Sequence, residues 1–171
     1  MKIVLVGYMG SGKTTVGQLL AEKLNMDFLD LDDYIETQLN TKIPDIFKEK
    51  GEIFFRKAEH QYLQEVLEKQ DALVLATGGG TPCYSGNMDL INSKTENVFY
   101  LKLSIPGLIE RLYKEKEHRP LIKHLADEDL PEFIGKHLFE RSPFYAISKH
   151  TIVAGARTAD EIANEILEKL V

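Results

Sequence analysis

One cysteine, Cys83, is all that 171 residues contain. A lone thiol excludes an intrachain disulfide framework and suits a reducing compartment. A basic excess is missing too. The formal net charge is −6, which argues against nucleic-acid binding, because phosphate backbones are met by basic faces. No apolar run approaches the roughly 20 residues a membrane span needs. The opening "MKIVLVG" carries too short an apolar stretch for a signal peptide. Internal repeats, low-complexity tracts and linkers are also lacking. These absences lead us to expect one cytoplasmic domain over residues 1–171, with no nucleic-acid or membrane partner, and the acidic surface adds the expectation of a monomer. The composition agrees: 43% hydrophobic and 28% charged residues are ordinary for a folded chain, and the length suffices for a real core.

Short apolar segments alternate with helical patterns along the chain. "KIVLV", "MDFLDLD", "ALVLA", "NVFYLKL" and "TIVA" read as five strands, the first a continuous run of the kind buried in parallel sheets. Between them, Val16, Leu19, Leu20 and Leu24 recur at helical spacing. Further helices are expected around Tyr34 to Leu39, from Pro44 for a short stretch, and from Glu52 to Lys69. The last of these has a stripe of Phe55, Ala58, Tyr62, Val66 and Leu67. Others should cover Pro106 to Lys114, Leu130 to Ile147, and a last helix opened by Thr158 with Glu161 as its capping box. Alternation of this kind implies a three-layer α/β/α fold around a parallel sheet. The polar, proline-broken stretch "KEKEHRPLIKHLADED" reads as a mobile lid over about 114–128.

After the first strand comes "GYMGSGKTT". Gly7-x-x-x-x-Gly12-Lys13-Thr14 is a complete phosphate-binding loop. Gly10, Ser11, Gly12, Lys13, Thr14 and Thr15 would wrap the phosphates of ATP at a helix N-terminus. Lys13 would reach the β and γ phosphates, and the Thr14 hydroxyl would ligate Mg²⁺. Several companions of that loop are missing. There is no N-K-x-D guanine signature, no D-x-x-G switch and no G-x-G-x-x-G dinucleotide fingerprint. The strand "ALVLAT" ends in Thr77 where a metal-side aspartate could stand. The second metal-side carboxylate is therefore sought in "FLDLDD".

Three features point to an acceptor. Asp30 and Asp32, two apart on an extended strand, would face one side at its carboxyl end. One carboxylate could serve Mg²⁺ and the other an acceptor hydroxyl, with Asp33 free to cap the following helix. Gly78-Gly79-Gly80 removes every side chain beside another strand end, so backbone can approach a ligand closely. The third feature is a set of arginines. Arg56 has Glu52 and Glu59 at helical spacing, which also fits a surface pair worth about 0.3–0.5 kcal/mol. Arg141 has no carboxylate at i±3 or i±4, so its fork is available to an anion. Arg119, in the lid stretch, could swing over the phosphates. Two arginines and an aspartate describe a small anionic polyol.

Together, "GYMGSGKTT", "FLDLD", "FFRKAE", "ATGGG", "HRPLI" and "ERSPFY" resemble the shikimate kinase family across nearly the whole chain. The resemblance implies a five-stranded parallel sheet of the nucleoside monophosphate kinase type. It implies transfer of the γ-phosphoryl group of ATP to the 3-hydroxyl of shikimate, with Mg²⁺. By the same resemblance, Asp30 helps hold the metal, Asp32 binds the acceptor hydroxyls and assists deprotonation, and Arg56 and Arg141 clamp the carboxylate. Gly79 and its neighbours offer backbone donors, Arg119 reaches the phosphates, and Arg111 and Arg157 border the adenine. The competing readings are a kinase of another small acceptor such as gluconate, or a nucleotide-dependent switch without an acceptor.

Overall fold

The computed structural model describes residues 1–171. Five strands form one sheet: β1 (Lys2–Val6), β2 (Phe28–Asp30), β3 (Leu73–Ala76), β4 (Val98–Lys102) and β5 (His150–Val153). Their order is β2-β3-β1-β4-β5, and every neighbouring pair is parallel. Helices flank the sheet: α1 (Lys13–Leu24), α2 (Leu31–Leu39), α3 (Ile43–Lys69), α4 (Asn87–Lys94), α5 (Ile105–Glu115), α6 (Leu130–Tyr145) and α7 (Ala159–Glu168). The three-layer α/β/α architecture follows from the alternating pattern. No helix is long and apolar enough to cross a membrane.

Burial explains which strands were plain in the sequence. Ile3 to Val6 and Leu73 to Ala76 are almost wholly buried. They lie in the sheet interior with helices over both faces, so they are apolar without alternation. The edge strand β2 is only half-buried and is shorter than expected. It ends at Asp30, whose carboxylate caps α2 by accepting from the backbone N–H groups of Asp32 (2.9 Å) and Asp33 (3.3 Å). The expected role of Asp33 as that cap therefore belongs to Asp30.

Within α3, Gly51 takes φ 85° and ψ 170°. A residue with a Cβ is strained there, so the long element is two helices end to end, as expected on either side of residue 51. Leu63, rather than Tyr62, completes the buried stripe of its second half. The capping box of α7 is formed as expected, with Thr158 and Glu161 exchanging hydrogen bonds. The stretch after α5 is less free than its polarity implies. Ile122 is fully buried, and Lys116 pairs with Asp127 at 2.8 Å. One apolar side chain anchored in the core holds a segment that reads as a loose loop.

The sheet order places β1 at the centre, between β3 and β4. The chain leaving β1 runs through α1 to β2 on one side, and the chain leaving β3 crosses over to β4 on the other, which opens a crevice at the carboxyl edge of β1.

Candidate active site

The glycine loop joins β1 to α1 at that crevice. Gly10 has φ 78° and Gly12 φ 95°, values that favour glycine. No side chain caps the start of α1, so the first-turn N–H groups remain available to an anion. Lys13 is buried, and its ammonium donates to the carbonyls of Gly7 (2.7 Å) and Tyr8 (3.1 Å). Burial lowers its pKa to about 8, against the opposing pull of the Asp32 carboxylate. Ser11 is buried, while Thr14 and Thr15 are exposed in the first turn of α1. The Thr14 hydroxyl donates to Asp30 Oδ2 at 3.1 Å, which brings the two proposed metal-side oxygens together.

Arg111, on α5, donates to the carbonyl of Gly10 at 3.2 Å and so stands against the glycine loop. Arg119 lies close by, its guanidinium donating twice to Glu115 Oε2 at 2.7 and 3.2 Å. That same oxygen is 4.0 Å from the place of a Cβ on Gly10. Arg157 is placed differently. It donates to the carbonyls of Val153, at the end of β5, and Glu161, on α7, and pairs with Glu165, and none of these partners belongs to the glycine loop.

The acceptor side is assembled from four separate segments. Asp32 sits in the first turn of α2 instead of on a strand, because β2 ends two residues earlier. The two aspartates still approach one another, but through the capping turn and not by strand alternation. Burial raises the Asp32 pKa to about 7, reinforced by the Asp30 and Glu59 carboxylates and opposed by Lys13. A Cβ on Gly78 would stand 2.7 Å from Asp32 Oδ1. A Cβ on Gly79 would meet the Met9 amide at 3.3 Å and Arg141 Nη1 at 3.4 Å. On Gly80 it would lie 2.9 Å from Arg56 Nη2 and 3.2 Å from Arg141 Nη2. The three glycines have ordinary backbone angles; what they supply is room. Both guanidinium groups thus converge on one point.

Arg56 is mostly enclosed. It stacks over the Tyr84 ring at 3.8 Å, a cation–π contact, and donates from Nη1 to Glu59 Oε1 at 2.9 Å. Glu59 is only 1% exposed. The surface-pair reading of these residues is therefore corrected: the pair is buried, and Glu52 contributes only a 3.9 Å contact at the solvent side. Arg141 makes no ion pair, as its neighbours implied. One face of α6 holds it in place. His137, four residues earlier, has Nδ1 2.9 Å from the Tyr8 hydroxyl in the glycine loop. Tyr145, four residues later, donates to the Gly79 carbonyl at 2.5 Å. The His137 pKa is lowered to about 4, by burial and then by Arg141, so the ring is neutral near pH 7.

The chain as a whole has relatives among known proteins. The family model described as shikimate kinase covers residues 9–171.

The chain belongs to the shikimate kinase family.

A shikimate kinase of Flavobacterium psychrophilum is 45% identical over 165 residues, spanning 96% of each chain. The crystal structure of shikimate kinase from Bacteroides thetaiotaomicron superposes with TM-score 0.92 at 35% identity, covering 99% of this chain and 97% of that one. That from Acinetobacter baumannii, in complex with shikimate, gives TM-score 0.87 at 38% identity, covering 98% and 91%. A gluconokinase from Sinorhizobium meliloti reaches TM-score 0.54 at 19% identity, a likeness of fold alone. The sequence pointed to Arg56, Arg141 and Gly78 to Gly80, with Glu59 only as a surface partner of Arg56, and gave no role to Tyr8, Thr81, Tyr84, His137 or Tyr145. The i+3 spacing of Glu59 from Arg56 and the i±4 spacing of His137 and Tyr145 about Arg141 were the available signals.

Proposed function

We propose that this member of the shikimate kinase family transfers the γ-phosphoryl group of MgATP to the 3-hydroxyl of shikimate, giving shikimate 3-phosphate and ADP. The convergence of Arg56 and Arg141 on Gly80, beside Asp32 and the glycine loop, carries the reading. Two guanidinium groups at one point match a single carboxylate. The acceptor is then held with a hydroxyl toward Asp32 and the phosphates.

The roles follow from placement. Gly10 to Thr15 hold the phosphates through backbone N–H groups, and Lys13 binds the β and γ oxygens. Its ammonium already lies at the loop, so charge is in place before transfer. Arg111 supports the loop from Gly10. Arg119 moves from Glu115 to the phosphates as the 114–128 segment closes. Asp32 accepts the proton of the 3-hydroxyl; its pKa near 7 suits a base at neutral pH. The hydroxyl oxygen bonds to the γ phosphorus as the bond to the β–γ bridging oxygen breaks, and ADP leaves. Arg56, Arg141 and the Gly78 to Gly80 turn hold the acceptor in line.

Thr14 and Asp30 fit Mg²⁺, a hard cation that takes few protein oxygens and keeps several waters. Bound there, the ion neutralises phosphate charge. Arg157 borders the adenine in this reading, from the segment between β5 and α7 where its partners lie. A cytoplasmic monomer is the accompanying reading, supported by one cysteine and an acidic composition. Sedimentation at micromolar concentration tests the monomer.

The deciding experiment is ADP release from MgATP with shikimate, gluconate, AMP or no acceptor, side by side. Stimulation by shikimate alone is expected. Stimulation by gluconate alone would move the acceptor, and acceptor-independent hydrolysis would favour a switch.

A further inference from the structure

Behind the Arg56–Glu59 pair runs a chain of buried polar groups that the proposed chemistry does not use. Glu59 accepts two hydrogen bonds, one per carboxylate oxygen. Arg56 Nη1 donates to Oε1 at 2.9 Å, and the Thr81 hydroxyl donates to Oε2 at 2.8 Å. Thr81 is the residue directly after the glycine turn. Its own carbonyl accepts from Asn87 Nδ2 at 2.8 Å. The Asn87 carbonyl oxygen lies 2.6 Å from His60 Nδ1. Asn87 spends its amide nitrogen on Thr81, so its oxygen is the acceptor and His60 Nδ1 carries the proton. Glu59 is 1% exposed, and Thr81 and Asn87 are fully buried. Only His60 reaches the surface, where it is half-buried.

Each link has one orientation that satisfies it. A buried carboxylate is tolerated only with its lone pairs occupied. The Thr81 hydroxyl occupies one oxygen and thereby turns the other toward Arg56. Asn87 fixes the backbone that carries Thr81, and through it the end of the glycine turn. Gly80, the next residue back, is where both arginine forks meet. The chain therefore joins two parts of the acceptor site from behind: the guanidinium and the backbone it must stand beside.

We propose that Thr81 and Asn87 are positioning residues for acceptor binding: through Glu59 they aim the Arg56 guanidinium at the acceptor carboxylate. This rests on the reading of Arg56 as half of the carboxylate clamp. A positioning role of this kind acts on one substrate only. The nucleotide loop shares none of these hydrogen bonds.

The test compares KM for shikimate and for ATP, with melting temperature, in Thr81→Val, Thr81→Ser, Asn87→Leu, Arg56→Ala and the double variant Arg56→Ala/Thr81→Val. Thr81→Val keeps the shape and removes the donor. It is expected to raise the shikimate KM about tenfold, the scale of one charge-assisted hydrogen bond, with the ATP KM within twofold. Thr81→Ser, which keeps the donor, restores the parent shikimate KM. The double variant is expected to be no worse for shikimate than Arg56→Ala alone, because both changes act on one guanidinium. An unchanged shikimate KM in Thr81→Val, or a double variant that loses the product of the two single effects, overturns the proposal. A parallel rise in both KM values with a lowered melting temperature also overturns it, as a structural role. If Arg56→Ala itself leaves the shikimate KM unchanged, the clamp reading fails instead. If Thr81→Val does not fold, Thr81→Ala asks the same question without the added methyl, and the same outcomes decide.

Discussion

The nucleotide loop and the acceptor wall face each other across one crevice and are built on opposite plans. The loop is nine consecutive residues, Gly7 to Thr15, whose own backbone forms the proposed phosphate seat. The wall gathers Asp32 from α2, Arg56 from α3, the glycine turn after β3 and Arg141 from α6. A backbone site needs only the right φ values and a helix start. A side-chain site needs every contributor anchored, and the anchors are Glu59 for Arg56 and the His137–Tyr145 face for Arg141. In the proposed function the loop is generic to phosphate chemistry, and the wall makes it selective.

That contrast can be broken from either side. The largest effect is expected at their meeting point. Asp32→Asn should lower kcat by up to about 10⁴-fold, the upper range for a general base, while the shikimate KM changes little. An unchanged kcat would remove Asp32 from the chemistry. The same variant has a stability signature. The folded Asp32 pKa is about 7, well above the ordinary value near 3.9 of an unfolded chain. The folded state therefore binds a proton that the unfolded state has lost between about pH 4 and 7, and stability falls as pH rises through that window. Asn carries no such cost. Thermal unfolding should show Asp32→Asn more stable than the parent at pH 8, with the gap closing toward pH 4; a lower melting temperature at pH 8 would contradict the burial argument.

Next in size, Lys13→Ala should cost about 10²–10³-fold in kcat, and it should do so for any acceptor offered, since it belongs to the loop. Acceptor-dependent losses in that variant would blur the division between loop and wall. Arg141→Ala sharpens the division from the other side. Losing one charged hydrogen-bonding partner of a carboxylate should raise the shikimate KM about 10–100-fold, with ATP binding by calorimetry unchanged. Collapse of ATP binding with shikimate binding intact would reverse the assignment.

Smaller again is the pH profile. In the free enzyme kcat/KM should rise through about pH 7 as Asp32 loses its proton. It should fall above about pH 8 as Lys13 loses its own. The two groups interact, so the limbs belong to the pair, and only the acid limb should vanish in Asp32→Asn. Smallest is Arg157→Ala, expected to change the ATP KM by less than about twofold, because its partners lie on β5 and α7 and none belongs to the glycine loop. A larger rise would return it to the adenine edge.

How far the sequence carried the argument depends on the same contrast. The loop was legible in full, because its residues are contiguous and its geometry is local. The central strands were legible because burial on both faces leaves no polar positions. Asp30 and Asp32 were brought together by the wrong geometry: strand alternation was assumed where a helix cap intervenes, since the capping preference of Asp30 outweighed extension. Arg56 and Glu59 were seen as neighbours on a helix, but spacing alone does not report burial, and burial is what converts a surface pair into an anchor. Ile122 shows the converse, one apolar residue holding a segment whose composition looks mobile. The contacts of Tyr8 with His137 and of Tyr145 with Gly79 join residues 129 and 66 positions apart. No local pattern encodes such pairs; they arise once the sheet order brings α6 across the carboxyl edge of β1.

Those two contacts give α6 a further meaning. His137 touches the phosphate loop, Tyr145 touches the glycine turn, and Arg141 stands between them at intervals of four residues. Four residues of α-helix rise about 6 Å. Helix pitch, and not loop length, therefore sets the spacing of the contact with Tyr8, the guanidinium beside the glycine turn and the contact with Gly79. Under the proposed roles this is a fixed gauge: an acceptor whose carboxylate and reacting hydroxyl are spaced otherwise would fail to fill both seats at once, however well it filled either.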